Sequence, residues 1–148
     1  MSTTTAPERK NIIYTIPGST LTLDIILDER KHLSRSLIAS LLSGANHEAS
    51  KHPQSTTLEG VFTWTTPDAE AEQGKKAVFG IAGGPILNEM TWGDVCVLTQ
   101  GLKEWFEQER EEVGLLFYVR DEGRGALGDG YLEPVVEAVV MTEVSTAL

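Results

Sequence analysis

The chain has 148 residues, enough for one domain with a complete hydrophobic core. Hydrophobic residues make up 41% of it and charged residues 23%, which excludes a chain that is disordered throughout. The formal net charge is −10 and no basic stripe offsets it, so nucleic acid is not an expected partner.

Compartment and domain organisation follow from a few further features. Cys96 is the single cysteine, so no intrachain disulfide can form. The N-terminal "MSTTTAPERK" is polar, and no apolar run approaches the ~20 residues that span a bilayer. We therefore expect a cytoplasmic protein without a membrane partner, built as a flexible tail over residues 1–10 and a single α+β domain over residues 11–148.

The first half of the chain predicts a β-hairpin and then a helix. The runs "NIIYTI" and "LTLDIIL" flank Pro17 and Gly18, which suit the central positions of a type II turn. The segment "DERKHLSRSLIASLLSGA" has leucines at helical spacing. It predicts a helix with Asp28 as N-cap that stops at Gly44, followed by the polar loop "NHEASKHPQSTT".

The second half predicts another hairpin, another helix and two more strands. "LEGVFTWTT" and "KAVFGIAG" are the hairpin strands, and Thr91 with Asp94 forms a capping box ahead of an apolar stripe from Val95 to Phe106. "VGLLFYVRD" predicts a central strand and "ALGDGYLEP" a returning one. The last segment, "VVEAVVMTEV", suits either a strand or a short helix.

The resulting order, β-β-α-β-β-α-β-β, contains the ferredoxin-like β-α-β-β-α-β arrangement. The predicted fold is this core with an added N-terminal hairpin and one or more C-terminal strands. Both helices then cover one face of a mainly antiparallel sheet. The other face is open, or is covered by the terminal segments or by a partner.

Motifs for metal, nucleotide or nucleophilic chemistry are missing from the sequence. "GIAGG" lacks the Lys-Ser/Thr ending of a phosphate loop. His47 and His52, with Glu48 nearby, fall in the predicted loop and lack further ligands on rigid elements. Cys96 has no neighbouring histidine and is better explained as a buried structural thiol than as a nucleophile. We expect neither a metal nor a cofactor.

Aromatic residues are the remaining candidates for a functional site. Trp64, Trp92 and Tyr131 could line an apolar ligand pocket, and Tyr118 and Arg120 could donate hydrogen bonds inside it. Alternation along "VGLLFYVRD" puts Leu116, Tyr118 and Arg120 on one face of their strand, and we expect Trp64 to share that face. Trp92 admits two interpretations. It covers the edge of the core like a hydrophobic staple, or it forms the wall of a pocket at a helix N-terminus, where unpaired N–H groups point.

Several short stretches, "MTWGDV", the "GL" at 101–102, "FYVRD" and "GALGDGYL", resemble a group of small uncharacterised fungal proteins. The resemblance covers roughly residues 58–133. Members of such groups are sometimes encoded in secondary-metabolite clusters, and a few small fungal proteins without recognisable motifs resemble cofactor-free cyclases, including Diels–Alderases of terpenoid pathways. The resemblance implies such an activity here, and it assigns no catalytic residue.

Three hypotheses of function follow. The first is a cofactor-independent, pericyclase-like cyclase or isomerase that folds a hydrophobic small molecule in an apolar pocket, with Tyr118 and Arg120 as its catalytic residues. The second is a non-catalytic interaction or dimerisation module that uses an open sheet face or an edge strand. A homodimer is compatible with both. The third, a secreted host-interacting protein, is disfavoured by the single cysteine and the acidic helix tail.

Overall fold

A computed structural model describes residues 11–84 and 89–136, and the fold below refers to these residues. They form six strands and two α-helices in the predicted order, which is thereby confirmed. The elements are β1 (Asn11–Thr15), β2 (Leu21–His32), α1 (Arg35–Ser50), β3 (Val61–Thr65), β4 (Ala77–Gly83), α2 (Trp92–Glu109), β5 (Val113–Asp121) and β6 (Gly125–Pro134).

The strands form one antiparallel sheet in the order β1-β2-β5-β6-β4-β3. The mainly antiparallel α+β class is therefore confirmed, but the strand order differs from the ferredoxin-like one. A ferredoxin-like sheet would place β2 and β4 side by side, whereas here β5 and β6 lie between them. The reason is local, because the short turn from Asp121 to Gly125 folds β6 back along β5. The free edge of β6 then pairs with β4.

Both helices lie on one face of the sheet and contact each other. The Asn46 amide of α1 donates to the Cys96 carbonyl at 2.8 Å and to the Thr99 hydroxyl at 2.9 Å in α2. Phe79 of β4 and Phe117 of β5 stack beneath the helices with ring centroids 6.0 Å apart, and both side chains are fully buried. The core therefore lies between the helix layer and one face of the sheet.

The start of α1 differs from the prediction. Residues from Asp28 to His32 continue β2 and pair with β5 across a register irregularity, so they do not enter the helix. Ser34 is the actual N-cap, and its hydroxyl accepts from the Leu37 N–H at 3.2 Å. The strand extends beyond the residues that the sequence pattern predicts, because pairing with β5 satisfies backbone N–H and C=O groups of this segment.

The predicted stop at Gly44 is also wrong, since α1 continues to Ser50. Gly44 has a packing role instead. A Cβ atom at Gly44 would overlap the indole nitrogen of Trp64, so the glycine lets α1 approach β3 closely. The polar loop predicted from Asn46 therefore begins one turn later.

Helix α2 follows its prediction closely. Thr91 and Asp94 form the predicted reciprocal capping box, with bonds of 3.1 and 2.9 Å. Gly101 faces Ile16, whose side chain would lie 2.9 Å from an added Cβ, and this close approach offsets the helix cost of a glycine. The buried stripe is the predicted one and consists of Val95, Leu98, Leu102, Trp105 and Phe106.

The expected tail over residues 1–10 lies outside the described residues. So does most of the segment 134–144, for which strand or helix was left open; within it, β6 ends at Pro134 and residues 135–136 are neither helix nor strand. Within residues 11–84 and 89–136, no helix combines the length and apolar character needed to cross a bilayer.

Candidate functional site

The sheet face that points away from the helices carries large apolar side chains in contact with solvent. Ile13, Val61, Leu116 and Tyr118 all lie on it, with exposed fractions of 68, 64, 45 and 48%. We call this surface the outer face, formed chiefly by Ile13, Asp24, Ile26, Leu116, Tyr118, Arg120, Asp129 and Tyr131. A solvated face of an antiparallel sheet is normally polar, so apolar side chains at its centre need an explanation.

Tyr118 lies at the centre of the outer face between two carboxylates. The register places Asp24 of β2 directly opposite it on one side and Asp129 of β6 on the other. Directly opposite residues have Cβ atoms about 5 Å apart, so both carboxylates are within reach of the phenol ring. Within the described chain, neither carboxylate makes an ion pair or a side-chain hydrogen bond. The centre of the face is thus aromatic and negatively charged.

The neighbouring row across the sheet is apolar. Ile26, Leu116 and Tyr131 lie side by side on β2, β5 and β6. Tyr131 covers Gly80 of β4, where a Cβ atom would overlap its ring. Gly80 therefore lets the Tyr131 ring lie close to the sheet, which extends the aromatic surface of the outer face towards β4.

Arg120 is the cationic residue of the central strand on this face. It is exposed and lies two residues beyond Tyr118, opposite Thr22 and Ala126. No ion pair joins it to another described residue. The predicted grouping of Leu116, Tyr118 and Arg120 on one face of β5 is confirmed.

The five residues proposed from the sequence divide between the two sides of the sheet. Tyr118, Arg120 and Tyr131 lie on the outer face, whereas Trp64 and Trp92 lie on the helix side. The expectation that Trp64 shares a face with Tyr118 is wrong, since Trp64 packs against α1. Because the sheet separates the two groups, they do not line one common pocket. The catalytic and ligand roles given to them stay predictions.

The tip of α2, where Trp92 was expected to border a pocket, is closed by the chain itself. The N–H of Trp92 donates to the Thr56 carbonyl at 3.0 Å, and the N–H of Gly93 donates to the Gln54 carbonyl at 2.9 Å. A Cβ at Gly93 would lie 3.0 Å from that same carbonyl oxygen, which explains a glycine in the first turn. These N–H groups are therefore engaged and do not point into a pocket.

The indole of Trp92 packs between two rings. It stacks on His52 with centroids 3.7 Å apart and planes 5° apart, and it meets the edge of Phe62 at 5.2 Å. Phe62 is buried, so this contact connects Trp92 to the core. The geometry favours the first interpretation, in which Trp92 covers the edge of the core.

We expect Trp92→Ala to lower the free energy of unfolding by about 2 kcal/mol, because it removes a half-buried indole and two aromatic contacts. Chemical denaturation measures the loss. Trp92→Phe is the matched control and should recover most of the stability, since a smaller ring still packs on Phe62. Unchanged stability in Trp92→Ala would contradict the packing role.

Arg124 connects the start of α2 to the β5–β6 turn. Its guanidinium donates to both oxygens of Asp94, at 2.8 and 2.9 Å, and to Asp121 at 3.3 Å. The Thr20 hydroxyl also donates to Asp121. Asp94 and Asp121 are 9 and 8% exposed, so the two acids depend on this arginine for compensation.

The pKa values in this cluster reflect the ion pairs. Burial raises the pKa of Asp94, but hydrogen bonds from Arg124 and from the Thr91 N–H outweigh it, so the net shift is downward. Hydrogen bonds from Arg124 and the Thr20 hydroxyl hold the pKa of Asp121 far below its ordinary value. Both carboxylates therefore stay ionised at neutral pH. Their ion pairs with Arg124 hold the start of α2 against the β5–β6 turn.

Cys96 and the histidines show no catalytic arrangement in the described part of the chain. Burial raises the pKa of the Cys96 thiol, which disfavours the reactive thiolate. His52 is occupied by the stack with Trp92. Among residues 11–84 and 89–136, no three His, Cys, Asp or Glu side chains are grouped as metal ligands.

The cavities formed by the described residues include two on the helix side of the sheet. One, of about 310 Å³, lies between α1 and α2 beside Arg35, Lys103 and Phe106. The other, of about 690 Å³, lies between the end of β2, residues 72–76 and the end of β6. None of the five residues proposed from the sequence lines either cavity.

Sequence reasoning missed the partners of Tyr118 and the role of Arg124. Asp129 is flanked by two glycines, a context typical of a turn, but it lies within β6, directly opposite Tyr118. Asp24 could have been placed on the outer face, because it alternates with Leu23 and Ile25. No local signal shows that the strands of Asp24 and Asp129 flank β5.

Comparison with known proteins adds no relative. No family model matches the chain, and no curated protein or solved structure is significantly similar to it.

Proposed function

We propose that this protein is a non-catalytic binding module whose outer face binds a segment of another protein that carries lysine or arginine next to apolar side chains. The observation that supports this most directly is Tyr118, half-exposed on a central strand and flanked in register by the uncompensated carboxylates of Asp24 and Asp129.

The apolar part of the outer face supports a protein partner. Contiguous exposed apolar side chains with a polar rim are typical of protein interaction sites, and aromatic residues are enriched there. Leu116 and Tyr131 are adjacent in register, and Ile26 extends the row to the next strand. Burying this row against apolar side chains of a partner would supply the hydrophobic part of the binding energy.

The charge of the outer face supports a basic partner. A lysine or arginine placed over Tyr118 would contact the ring face and lie between two carboxylates, whose strands are about 10 Å apart. The net charge of −10 would also attract such a partner at long range.

Charge disfavours two other occupants of the same surface. A second copy would place four carboxylates, Asp24 and Asp129 of each chain, in one interface with two Arg120 side chains to offset them, so like charges would still repel. The chain's own residues 137–148, "EAVVMTEVSTAL", contain two glutamates and no lysine or arginine. Neither occupant complements the negative centre of the face.

The cyclase hypothesis requires one pocket that collects the proposed aromatic and donor residues. Tyr118 and Arg120 are separated by the sheet from Trp64 and Trp92, so the binding module fits the geometry better. The module uses Tyr118, Arg120 and Tyr131 together, as parts of one surface.

The test is a calorimetric titration with a short peptide of alternating lysine and leucine. We expect saturable binding that the double substitution Asp24→Asn with Asp129→Asn weakens about three- to tenfold, from two exposed charge contacts of ~0.2–1 kcal/mol each. The matched control is Glu107→Gln with Glu109→Gln on the exposed end of α2. It changes the net charge equally and should leave binding nearly unchanged.

Three results would overturn the proposal. The first is that the lysine–leucine peptide does not bind, and the second is that a glutamate–leucine peptide binds as tightly. The third is that the aspartate and the glutamate double substitutions weaken binding equally. The last result would mean that only overall charge matters and that the outer face is not the binding surface.

A further inference from the structure

The fold brings together two basic clusters that are far apart in the sequence. Arg30, Lys31 and Arg35 come from the end of β2 and the start of α1, and Lys75 and Lys76 precede β4. Together they are five of the twelve lysines and arginines in the chain. Lys31 and Arg35 pair with Glu133 and Glu112, so the free positive charge of this region depends on the remaining three cations.

The cavity of about 690 Å³ lies where these clusters meet. Arg30, Lys75 and Lys76 contribute to its lining from two sides. Pro134 and Val135 at the end of β6 add accessible apolar surface, and Leu33 and Leu37 lie almost fully buried beneath it. A concave site of this volume with a few charged groups on an apolar wall suits a small organic molecule.

Carboxylates already compensate most of the lining cations. Arg30 pairs with Asp28 at 3.2 Å, and Lys76 pairs with Asp68. Lys75 has no ion pair within the described residues, although it lines the cavity. One uncompensated positive charge therefore faces the cavity, which matches a ligand with a single negative charge.

The acidic residue of the lining, Glu72, is directed elsewhere. Its carboxylate accepts hydrogen bonds from the Ser34 hydroxyl at 2.6 Å and from the Ser36 hydroxyl. Both serines lie at the N-terminus of α1, where the helix dipole and free N–H groups favour a negative charge. The Glu72 carboxylate therefore interacts with the N-terminus of α1 and does not neutralise the charge of Lys75.

We propose that this cavity binds a small carboxylic acid with an apolar body, with the carboxylate at Lys75 and the hydrocarbon part against Pro134 and Val135. The cavity lies on the opposite side of the sheet from the outer face. Its proposed ligand therefore does not depend on the protein partner proposed for the outer face.

Octanoate, 1-octanol and octylammonium form a matched set of probes, since they share a chain and differ in charge. Calorimetry and amide chemical-shift mapping are performed on the full-length chain. We expect octanoate to bind saturably and to shift amides of residues 30–37 and 72–76. The alcohol and the ammonium ion should bind more weakly.

Two lysine variants locate the carboxylate. Lys75→Gln should weaken octanoate binding about threefold or more, as expected for the loss of one partly exposed charge contact. Lys103→Gln, beside the smaller cavity between the helices, should leave it unchanged. Arg30→Gln, at a lining cation that is already paired with Asp28, should weaken octanoate binding less than Lys75→Gln.

Several outcomes would overturn the site. They are no saturable binding of octanoate, equal binding of octanoate and 1-octanol, or an effect of Lys103→Gln that matches Lys75→Gln. Equal binding of octanoate and 1-octanol would indicate an apolar surface that does not recognise the carboxylate. An equal effect of Lys103→Gln would indicate that octanoate binds in the smaller cavity between the helices.

Discussion

Arg124→Met is expected to lower the free energy of unfolding by about 2–3 kcal/mol. The substitution removes the guanidinium that compensates Asp94 and Asp121 and leaves two poorly exposed carboxylates unpaired. Loss of one partner of a buried ion pair costs ~3–5 kcal/mol, and partial exposure of the Arg124 side chain reduces the figure here. Urea denaturation at neutral pH measures the change.

Arg120→Met is the matched control for this variant. Arg120 lies on the same hairpin, is exposed and has no ion pair among the described residues, so we expect a change below about 0.5 kcal/mol. Equal effects of the two substitutions would show that Arg124 does not act through Asp94 and Asp121.

The acid dependence of stability gives a second test of the same cluster. The pKa values of Asp94 and Asp121 are lowered in the folded state, so their stabilising effect is complete above the ordinary carboxyl pKa of ~4. It is lost as the pH falls from there through the folded-state values. The stability difference between the native chain and Arg124→Met should therefore narrow below about pH 4. A difference that is constant with pH would contradict the pairing.

Gly128→Ala is expected to have a comparably large effect, a loss of about 3 kcal/mol. An added Cβ would overlap the Ala82 carbonyl oxygen of β4 and lie 3.0 Å from the Gly83 Cα. These are backbone atoms of the neighbouring strand, which cannot move aside without disturbing the β4–β6 pairing. Overpacking of this kind destabilises by ~1–3 kcal/mol and sometimes more.

Gly123→Ala provides the control for Gly128→Ala, because it makes the same chemical change in the turn before β6. Its nearest neighbour to an added Cβ, the Asp121 carboxylate oxygen, would be at 3.6 Å, an ordinary contact distance. We expect a change within about 0.5 kcal/mol. Denaturation midpoints that fall equally in both variants would rule out the steric explanation for Gly128.

Local patterns predicted most of the elements because they report local physics. Alternation in β5 placed Phe117 and Tyr118 on opposite faces of the sheet, and the Thr91–Asp94 box marked the start of α2. Each of these signals depends on residues within a few positions of one another. The prediction of two helices on one side of an antiparallel sheet followed from the order of these elements, through the ferredoxin-like arrangement.

The predicted element bounds are wrong where contacts with residues distant in the sequence determine the local structure. Gly44 resembles a helix stop, but the Trp64 indole occupies the space that a Cβ would need, so the glycine lies inside α1. Asp28 resembles an N-cap, but pairing of β2 with β5 keeps it in a strand. Sequence alone does not show which strand supplies these contacts.

The candidate site was partly predictable for the same reason. Tyr118 and Arg120 share a face by alternation, and that part is confirmed. Their predicted grouping with Trp64 and Trp92 is wrong, because the sequence does not show which side chains of each strand face the helices. The flanking of Tyr118 by Asp24 and Asp129 depends on the strand order β2-β5-β6, which differs from the ferredoxin-like order expected.

Amide chemical-shift mapping with the lysine–leucine peptide shows whether the outer face is the surface that binds a basic partner. We predict that the largest shifts fall on β2, β5 and β6 around Asp24, Tyr118 and Asp129, and that α1 and α2 remain largely unperturbed. Shifts concentrated on the helices, or spread evenly over all acidic residues, would contradict the assignment.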